Sequence, residues 1–278
     1  MRKLGFLGPK GTFSHNAALE YRKGQNDYQL LEFNTIPELM VAVSDGAIDE
    51  AVVPIENSLE GAVTSTLDMF VEDLAIVIRA EIIIPISLNL MVKVGTAADD
   101  IREILSHPQP FGQCRKYLTE HFPSAATRPV SSTASAAYEV AQGDGTLAAI
   151  GSAIAGELYD LELLDRDIQD GKNNFTRFVV ISRERAERTD QDKTALVFST
   201  GNEPGSLYRI LDIFNIWDVN MTKIESRPSK EQLGKYVFYV DIVGHQDEED
   251  IRDALAMIKR KTSLLKILGS YPIYYVKL

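Results

Sequence analysis

Ten consecutive residues, Arg183-Glu184-Arg185-Ala186-Glu187-Arg188-Thr189-Asp190-Gln191-Asp192, carry a single apolar side chain, Ala186. A stretch of that composition has almost nothing to bury and reads as a solvated linker. It is the clearest boundary in the sequence, and separate domains are expected at residues 1–182 and 193–278. Each part is long enough to bury a core of its own.

Before the linker the apolar pattern alternates between strand and helix. Lys3–Leu7 reads as a strand, then a glycine-rich turn, Gly8-Pro9-Lys10-Gly11-Thr12-Phe13-Ser14, then a helix from Asn16 to Arg22. Gln29–Phe33 is a second strand. Thr35-Ile36-Pro37-Glu38 is a capping box opening a helix to about Ser44. Ala51–Pro54 is wholly apolar, as expected of a buried parallel strand, and a helix follows from Ala62 to Phe70. Ala75–Pro85 and Ser87–Val94 are long strands without a hairpin turn between them, so they read as a crossover. Further strands are expected at Ile101–Leu105, Ala126–Val130 and Leu147–Ile150, with helices from Cys114 to His121 and from Ser132 to Gln142. The segment Asp160–Asp167 leads into a last strand ending at Ser182. This rhythm predicts two small α/β lobes, roughly 1–80 with 160–182, and 81–159.

Polar groups gather where those strands end. Asn173-Asn174-Phe175-Thr176-Arg177-Phe178 takes a polar turn into a buried strand, placing a hydroxyl and a guanidinium side by side at its edge. Glu56, Asn57 and Ser58 follow the strand at Ala51–Pro54, the end at which ligands collect in open α/β sheets. Capping by Asn57 or Ser58 is the plainer role for the same residues. Ser106 and Gln113 flank the rigid Pro108-Gln109-Pro110 segment as neutral hydrogen-bonding groups. The glycine-rich turn aims backbone N–H groups at one point and suits an anion, although tight turns need glycine for steric reasons too.

The second part has another pattern. Strands at Thr194–Thr200, Met221–Arg227, Tyr236–Val243 and Tyr271–Val276 and helices at Gly205–Trp217 and Asp247–Lys261 give the order β-α-β-β-α-β. That is the ferredoxin-like arrangement.

Composition excludes several functions. Twenty-nine basic residues face 40 acidic ones, a net charge of −11, which argues against nucleic acid or an anionic membrane as partner. Cys114 is the only cysteine, so neither a disulfide framework nor a Cys-cluster zinc site is available. His15, His107, His121 and His245 show no metal-ligand spacing. No apolar run approaches the ~20 residues of a spanning helix, and a cytoplasmic, metal-free protein is expected.

Gly8-Pro9-Lys10-Gly11-Thr12-Phe13-Ser14, Pro54-Ile55-Glu56-Asn57-Ser58, Ser106 to Cys114 and Asn174-Phe175-Thr176-Arg177-Phe178 together resemble the prephenate dehydratase family, in the right order and over essentially the whole chain. The C-terminal part resembles an ACT domain, with Glu225-Ser226-Arg227-Pro228 similar to the family's phenylalanine-sensing motif. The resemblance implies a periplasmic-binding-protein type II-like catalytic domain (1–182), a linker (183–192) and an ACT regulatory domain (193–278). It implies conversion of prephenate to phenylpyruvate, water and carbon dioxide without a cofactor. Arogenate dehydratase and a non-catalytic amino-acid sensor are the rival readings.

By the same resemblance Thr176 is expected to be catalytic. Glu56 is the carboxyl within the motifs able to act as general acid. Asn57, Ser106 and Gln113 are expected to bind or orient substrate, with Arg177 and the amides of Gly11 and Thr12 as candidates for its carboxylates. In the ACT unit, Asn202, Pro204, Gly205 and Leu207 belong to a loop expected to close over phenylalanine with Glu225, Ser226, Arg227 and Pro228. Thr194-Ala195-Leu196-Val197 departs from the Gly-Ala-Leu-Val of some relatives at its first residue. Effector sites of this type commonly form between subunits, so a homodimer or homotetramer is expected. No helical chorismate mutase segment lies ahead of Met1, and a monofunctional enzyme is expected.

Overall fold

The structure is a computed structural model and describes residues 1–23, 27–171, 173–229 and 235–274. In chain order the elements begin with β1 (Arg2–Leu7), α1 (Phe13–Arg22), β2 (Tyr28–Phe33), α2 (Ile36–Ser44), β3 (Glu50–Asn57), β4 (Gly61–Ala62), α3 (Thr64–Val71) and β5 (Val77–Pro85). There follow β6 (Asn89–Lys93), a short 3-10 turn at Ala98–Asp100, β7 (Glu103–Ser106), α4 (Pro108–Gln113), α5 (Arg115–His121), β8 (Ala126–Pro129) and α6 (Thr133–Gln142). Next come β9 (Leu147–Gly151), α7 (Ala153–Leu158), β10 (Leu161–Asp165) and β11 (Phe175–Ser182). Beyond the linker lie β12 (Asp192–Ser199), α8 (Ser206–Ile216), β13 (Met221–Pro228), β14 (Tyr236–Val243), α9 (Glu249–Lys259) and β15 (Leu264–Pro272).

The strands form three sheets. The first runs β2-β1-β3-β11-β5, with β4 attached to β3. Its last-arriving strand, β11, lies beside β3, so the turn before Thr176 opens next to Glu56-Asn57-Ser58. The second sheet runs β10-β6-β9-β7-β8. The alternating strands and helices of the sequence thus build α/β sheets, as expected. The third runs β13-β14-β12-β15, the ferredoxin-like order, with β13 at one edge among the described residues. Leu196, Phe198, Phe238 and Val240 project from it into one core with Ile210 and Phe214 of α8 and Ile251 and Ile258 of α9.

Several boundaries differ from the sequence expectation: α1, for one, begins at Phe13 and not at Asn16, and β7 runs from Glu103 to Ser106. β3 continues past Pro54 to Asn57, because Ile55 O accepts from Val63 N and the strand gains β4 as a neighbour. The helix expected from Ala62 starts at Thr64 instead. The final strand was expected at Tyr271–Val276; β15 starts seven residues earlier, at Leu264, in antiparallel register with β12, and residues 275–278 lie outside the described residues.

The packing divides the chain into two compact units. The first is Met1–Leu39, Glu56–Gly61 and Ile83–Phe178, and the second is Met40–Ile55, Ala62–Ile82 and Val179–Leu278. All the catalytic and substrate-binding residues expected from the sequence belong to the first unit. The ferredoxin-like sheet and the segment Ala62–Ile82 belong to the second. Among the described residues no helix is long and apolar enough to cross a membrane.

Candidate active site

Thr176 is the second residue of β11 and is buried, with 9% of its surface exposed. Its oxygen accepts a hydrogen bond from Asn57 Nδ2 at 2.9 Å. Asn57, the last residue of β3, is oriented by its own turn: Oδ1 accepts from the backbone N–H groups of Leu59 (2.9 Å) and Glu60 (3.0 Å). Asn57 therefore caps a tight turn rather than a helix. Its Nδ2 also reaches Asn174 Oδ1 at 2.9 Å and Phe175 O at 3.3 Å. Asn174 Nδ2 in turn donates to Gln113 Oε1 at 3.0 Å. Ser58 locks the arrangement: its amide donates to Phe175 O, and its hydroxyl accepts from Phe175 N and donates to Asn173 O.

Three residues named from the sequence, Thr176, Asn57 and Gln113, thus belong to one hydrogen-bonded chain. The fourth member, Asn174, is 3% exposed and was overlooked as a site residue. The available signal was its place directly before Phe175-Thr176. With Oδ1 capping a turn and Nδ2 facing three acceptors, Asn57 has no polar valence left for a substrate. It can orient Thr176 but not bind ligand directly.

Other expectations need correction. Ser106 is fully buried and its hydroxyl donates to Ile150 O at 2.8 Å, which ties β7 to β9 instead of facing a ligand. Arg177 alternates away from Thr176 and its guanidinium lies 3.8 Å from the Glu56 carboxylate. The expected general acid and the expected carboxylate clamp are therefore partners of each other.

The glycine-rich turn is also satisfied internally. Gly11, at φ +90°, donates its amide to His15 Nδ1 (3.2 Å), and its carbonyl accepts from Ser152 Oγ (2.6 Å). A Cβ at Gly11 would meet Ala155 and Ala134 at 3.3–3.4 Å, so the turn also needs glycine for close packing. Thr12 caps α1, accepting from His15 N at 3.3 Å, while its amide faces Pro9 O at 3.4 Å. Neither amide is directed to an external carboxylate. His15, missed in the sequence, holds this turn. Burial, and after it the charge of Lys10, lowers its pKa and keeps it a neutral acceptor at Nδ1.

Cys114 is buried and its thiol is pushed up to about 12, chiefly by burial and secondarily by the Asp170 carboxylate. It is a packing residue.

In the second unit, Asn202, Gly205 and Leu207 line a cavity of about 380 Å³ together with Tyr208, Tyr236 and Phe238. Glu225, Ser226, Arg227 and Pro228 stand on the edge strand β13 and do not line it, nor does Pro204. The Arg227 guanidinium is instead bonded to Asp68 of α3 at 3.2 Å. A side chain committed to α3 is not directed at an amino acid in that cavity.

The profile of prephenate dehydratase matches residues 4–186, two-thirds of the sequence. The chain belongs to the prephenate dehydratase family. An ACT domain profile matches residues 194–256. A bifunctional chorismate mutase/prephenate dehydratase of Aquifex aeolicus is 43% identical over 270 residues, covering 97% of this chain and 73% of that protein. The crystal structure of a prephenate dehydratase from Arthrobacter aurescens in complex with L-Phe superposes with a TM-score of 0.90 at 37% identity, over 98% of this chain and 90% of the other. GqqA, described as a novel type of quorum quenching acylase, superposes with a TM-score of 0.87 at 30% identity, over 98% of both chains. Prephenate dehydratases and an acylase thus share this family's architecture, and the arrangement around Thr176 has to discriminate between the two chemistries.

Proposed function

We propose that this chain is a prephenate dehydratase, a hydro-lyase that converts prephenate to phenylpyruvate, water and carbon dioxide and is feedback-regulated by phenylalanine. The observation that carries the reading is the Thr176 hydroxyl, whose oxygen accepts from Asn57 and whose proton has no acceptor among the described residues. A hydroxyl held in that way is poised to donate. The reaction needs such a donor. The ring carboxylate leaves as carbon dioxide, its bonding electrons enter the ring, and the ring C–O bond breaks. The departing hydroxide takes up one proton, and aromatisation supplies the driving force. Thr176 polarises that leaving oxygen, and preorganised neutral donors assist it without any reorganisation of solvent. Gln113, whose oxygen is taken by Asn174, turns its remaining Nε2–H donors toward the anionic substrate.

An acylase reading requires a nucleophile with a base beside it. Among the described residues Thr176 has an amide nitrogen, not an imidazole or a carboxylate, as its hydrogen-bond partner. That favours the lyase.

The ACT unit is the regulatory part of this reading. The 380 Å³ cavity beside Asn202 and Gly205 supplies one wall for phenylalanine. Glu225 and Ser226, on the edge strand β13, are the contribution of a second copy, so the effector site belongs to a homodimer or a larger assembly. A cytoplasmic location accords with this chemistry.

The test is phenylpyruvate formation from prephenate by the purified protein, with and without phenylalanine, and with arogenate run in parallel. Turnover of prephenate that phenylalanine suppresses is expected. Faster turnover of arogenate would reassign the substrate, and binding of prephenate without turnover would make the chain a sensor.

A further inference from the structure

We propose that Asn174, which is not among the residues expected to act on substrate, is a positioning residue whose side-chain oxygen holds the Asn57 amide so that the Thr176 hydroxyl proton is released toward the substrate. The inference rests on the assignment of Thr176 as the donor in the reaction above, and follows from counting donors and acceptors along one chain.

Asn57 cannot be turned over. Its Oδ1 faces two backbone N–H groups, of Leu59 and Glu60, and an amide nitrogen in that place would set donors against donors. Nδ2 therefore faces the other way, with two protons to place. One goes to Thr176 Oγ1 at 2.9 Å. The other needs an acceptor as well, and one in the right place keeps the amide plane in line with Thr176. Two acceptors compete for it, Asn174 Oδ1 at 2.9 Å and Phe175 O at 3.3 Å, and the shorter, side-chain contact dominates.

Asn174 has its own orientation fixed at the far end. Its Nδ2 donates to Gln113 Oε1 at 3.0 Å, which leaves Oδ1 on the Asn57 side. Its backbone carbonyl is anchored as well, accepting from Ile86 N at 2.8 Å. At 3% exposure the side chain does not compete for solvent. The direction of every hydrogen bond from Gln113 to Thr176 is thereby determined. Because Asn57 can only donate, Thr176 can only accept from it, and the hydroxyl proton has to point elsewhere. Networks of this kind are polarised along their length, so the far end affects the near one.

An oxygen acceptor at position 174 is the requirement, and that makes the idea testable by chemistry rather than by size. Asn174→Asp retains the acceptor, and Gln113 meets it by rotating its amide to donate. Asn174→Ala removes the acceptor. Asn174→Leu fills the space without one. Steady-state kinetics on prephenate should show kcat falling at least tenfold in the alanine and leucine variants, with KM within about threefold of wild type. The aspartate variant should keep kcat within about threefold of wild type, with KM raised because the rotated Gln113 turns its oxygen, and no longer its Nε2–H donors, toward the substrate. In parallel, nuclear magnetic resonance on protein labelled at asparagine nitrogen reads the exchange of the Asn57 side-chain amide protons. Exchange should speed up in Asn174→Ala and return to the wild-type rate in Asn174→Asp. The resonance measurement needs no turnover, so it decides the proposal even if the wild type leaves prephenate untouched, a result that would overturn the functional reading alone. Wild-type kcat in Asn174→Ala, equal loss of kcat in the alanine and aspartate variants, a rise in KM at constant kcat in Asn174→Ala, or unchanged Asn57 exchange in Asn174→Ala would each overturn the positioning role.

Discussion

Arg227 and Asp68 face each other at 3.2 Å, joining the edge strand β13 of the ferredoxin-like sheet to helix α3 within the second unit. The pair is about three-quarters buried on each side, and the Arg227 Nε is buried with no hydrogen-bond partner among the described residues. Tyr239 reinforces the same junction, donating its hydroxyl to Leu67 O at 2.6 Å. Removing the carboxylate leaves a buried guanidinium without its counter-charge, whereas removing the guanidinium also removes the unsatisfied Nε. Asp68→Ala should therefore lower the unfolding free energy by about 1–3 kcal/mol, and Arg227→Met by less than about 1 kcal/mol. Urea titrations of both variants measure this. Equal losses would show that the pair acts as a screened surface contact.

Thr176 separates hydroxyl chemistry from packing. Thr176→Val keeps the shape and removes the donor, so turnover should fall by about 10²–10⁴ while the fold persists. Thr176→Ala should behave the same way. Thr176→Ser retains the hydroxyl that Asn57 holds and should keep activity within about tenfold of wild type. Rates of phenylpyruvate formation, alongside circular dichroism, decide it. A valine variant within a few-fold of wild type would remove Thr176 from the chemistry.

Much of this was legible before any coordinates. The helical periodicity of Leu207, Ile210, Leu211 and Phe214 marked out α8 of the ferredoxin-like unit, because that signal is local. That polar groups gather at these strand ends was legible; that Thr176 and Asn57 pair with each other was not. What was not legible depends on register between distant segments. Whether the Ser106 hydroxyl faces a ligand or Ile150 O is set by the parallel alignment of β7 on β9, where Leu105 pairs with Ala149. The Glu56–Arg177 contact likewise requires β11 to return beside β3, with the two residues 121 positions apart in the chain. Asn174 was overlooked because its function lies in which neighbour it orients, and no residue type announces that.

Cys114 offers a check on the burial of the segment carrying Gln113. With the thiol at about 12, the thiolate fraction at pH 8 is about one part in 10⁴. Iodoacetamide should leave the native protein unlabelled over an hour at pH 8 and label it fully in denaturant. Cys114→Ser should retain wild-type KM for prephenate. Rapid labelling of the native state would show that this helix start opens readily.

His15 gives the glycine-rich turn a pH dependence with a definite sign. Burial, then the charge of Lys10, lowers its pKa below the ordinary imidazole value of 6.5, with Glu32 opposing and Arg22 acting in the same direction as Lys10. The unfolded chain therefore takes up a proton near pH 6.5 while the folded one still refuses it. Stability from the neutral ring is complete above 6.5 and declines as pH falls through 6.5 toward the folded value, below which it is lost. Protonation also ends the acceptance of the Gly11 amide at Nδ1, so the turn itself is what loosens. His15→Gln keeps an acceptor for that amide and has no proton to take up in this range. Chemical denaturation of both proteins from pH 7.5 to 5 should show wild type losing stability relative to the glutamine variant as the pH falls. Parallel profiles would mean that His15 titrates in the folded protein as it does in the unfolded one, and that the turn does not depend on its neutral form.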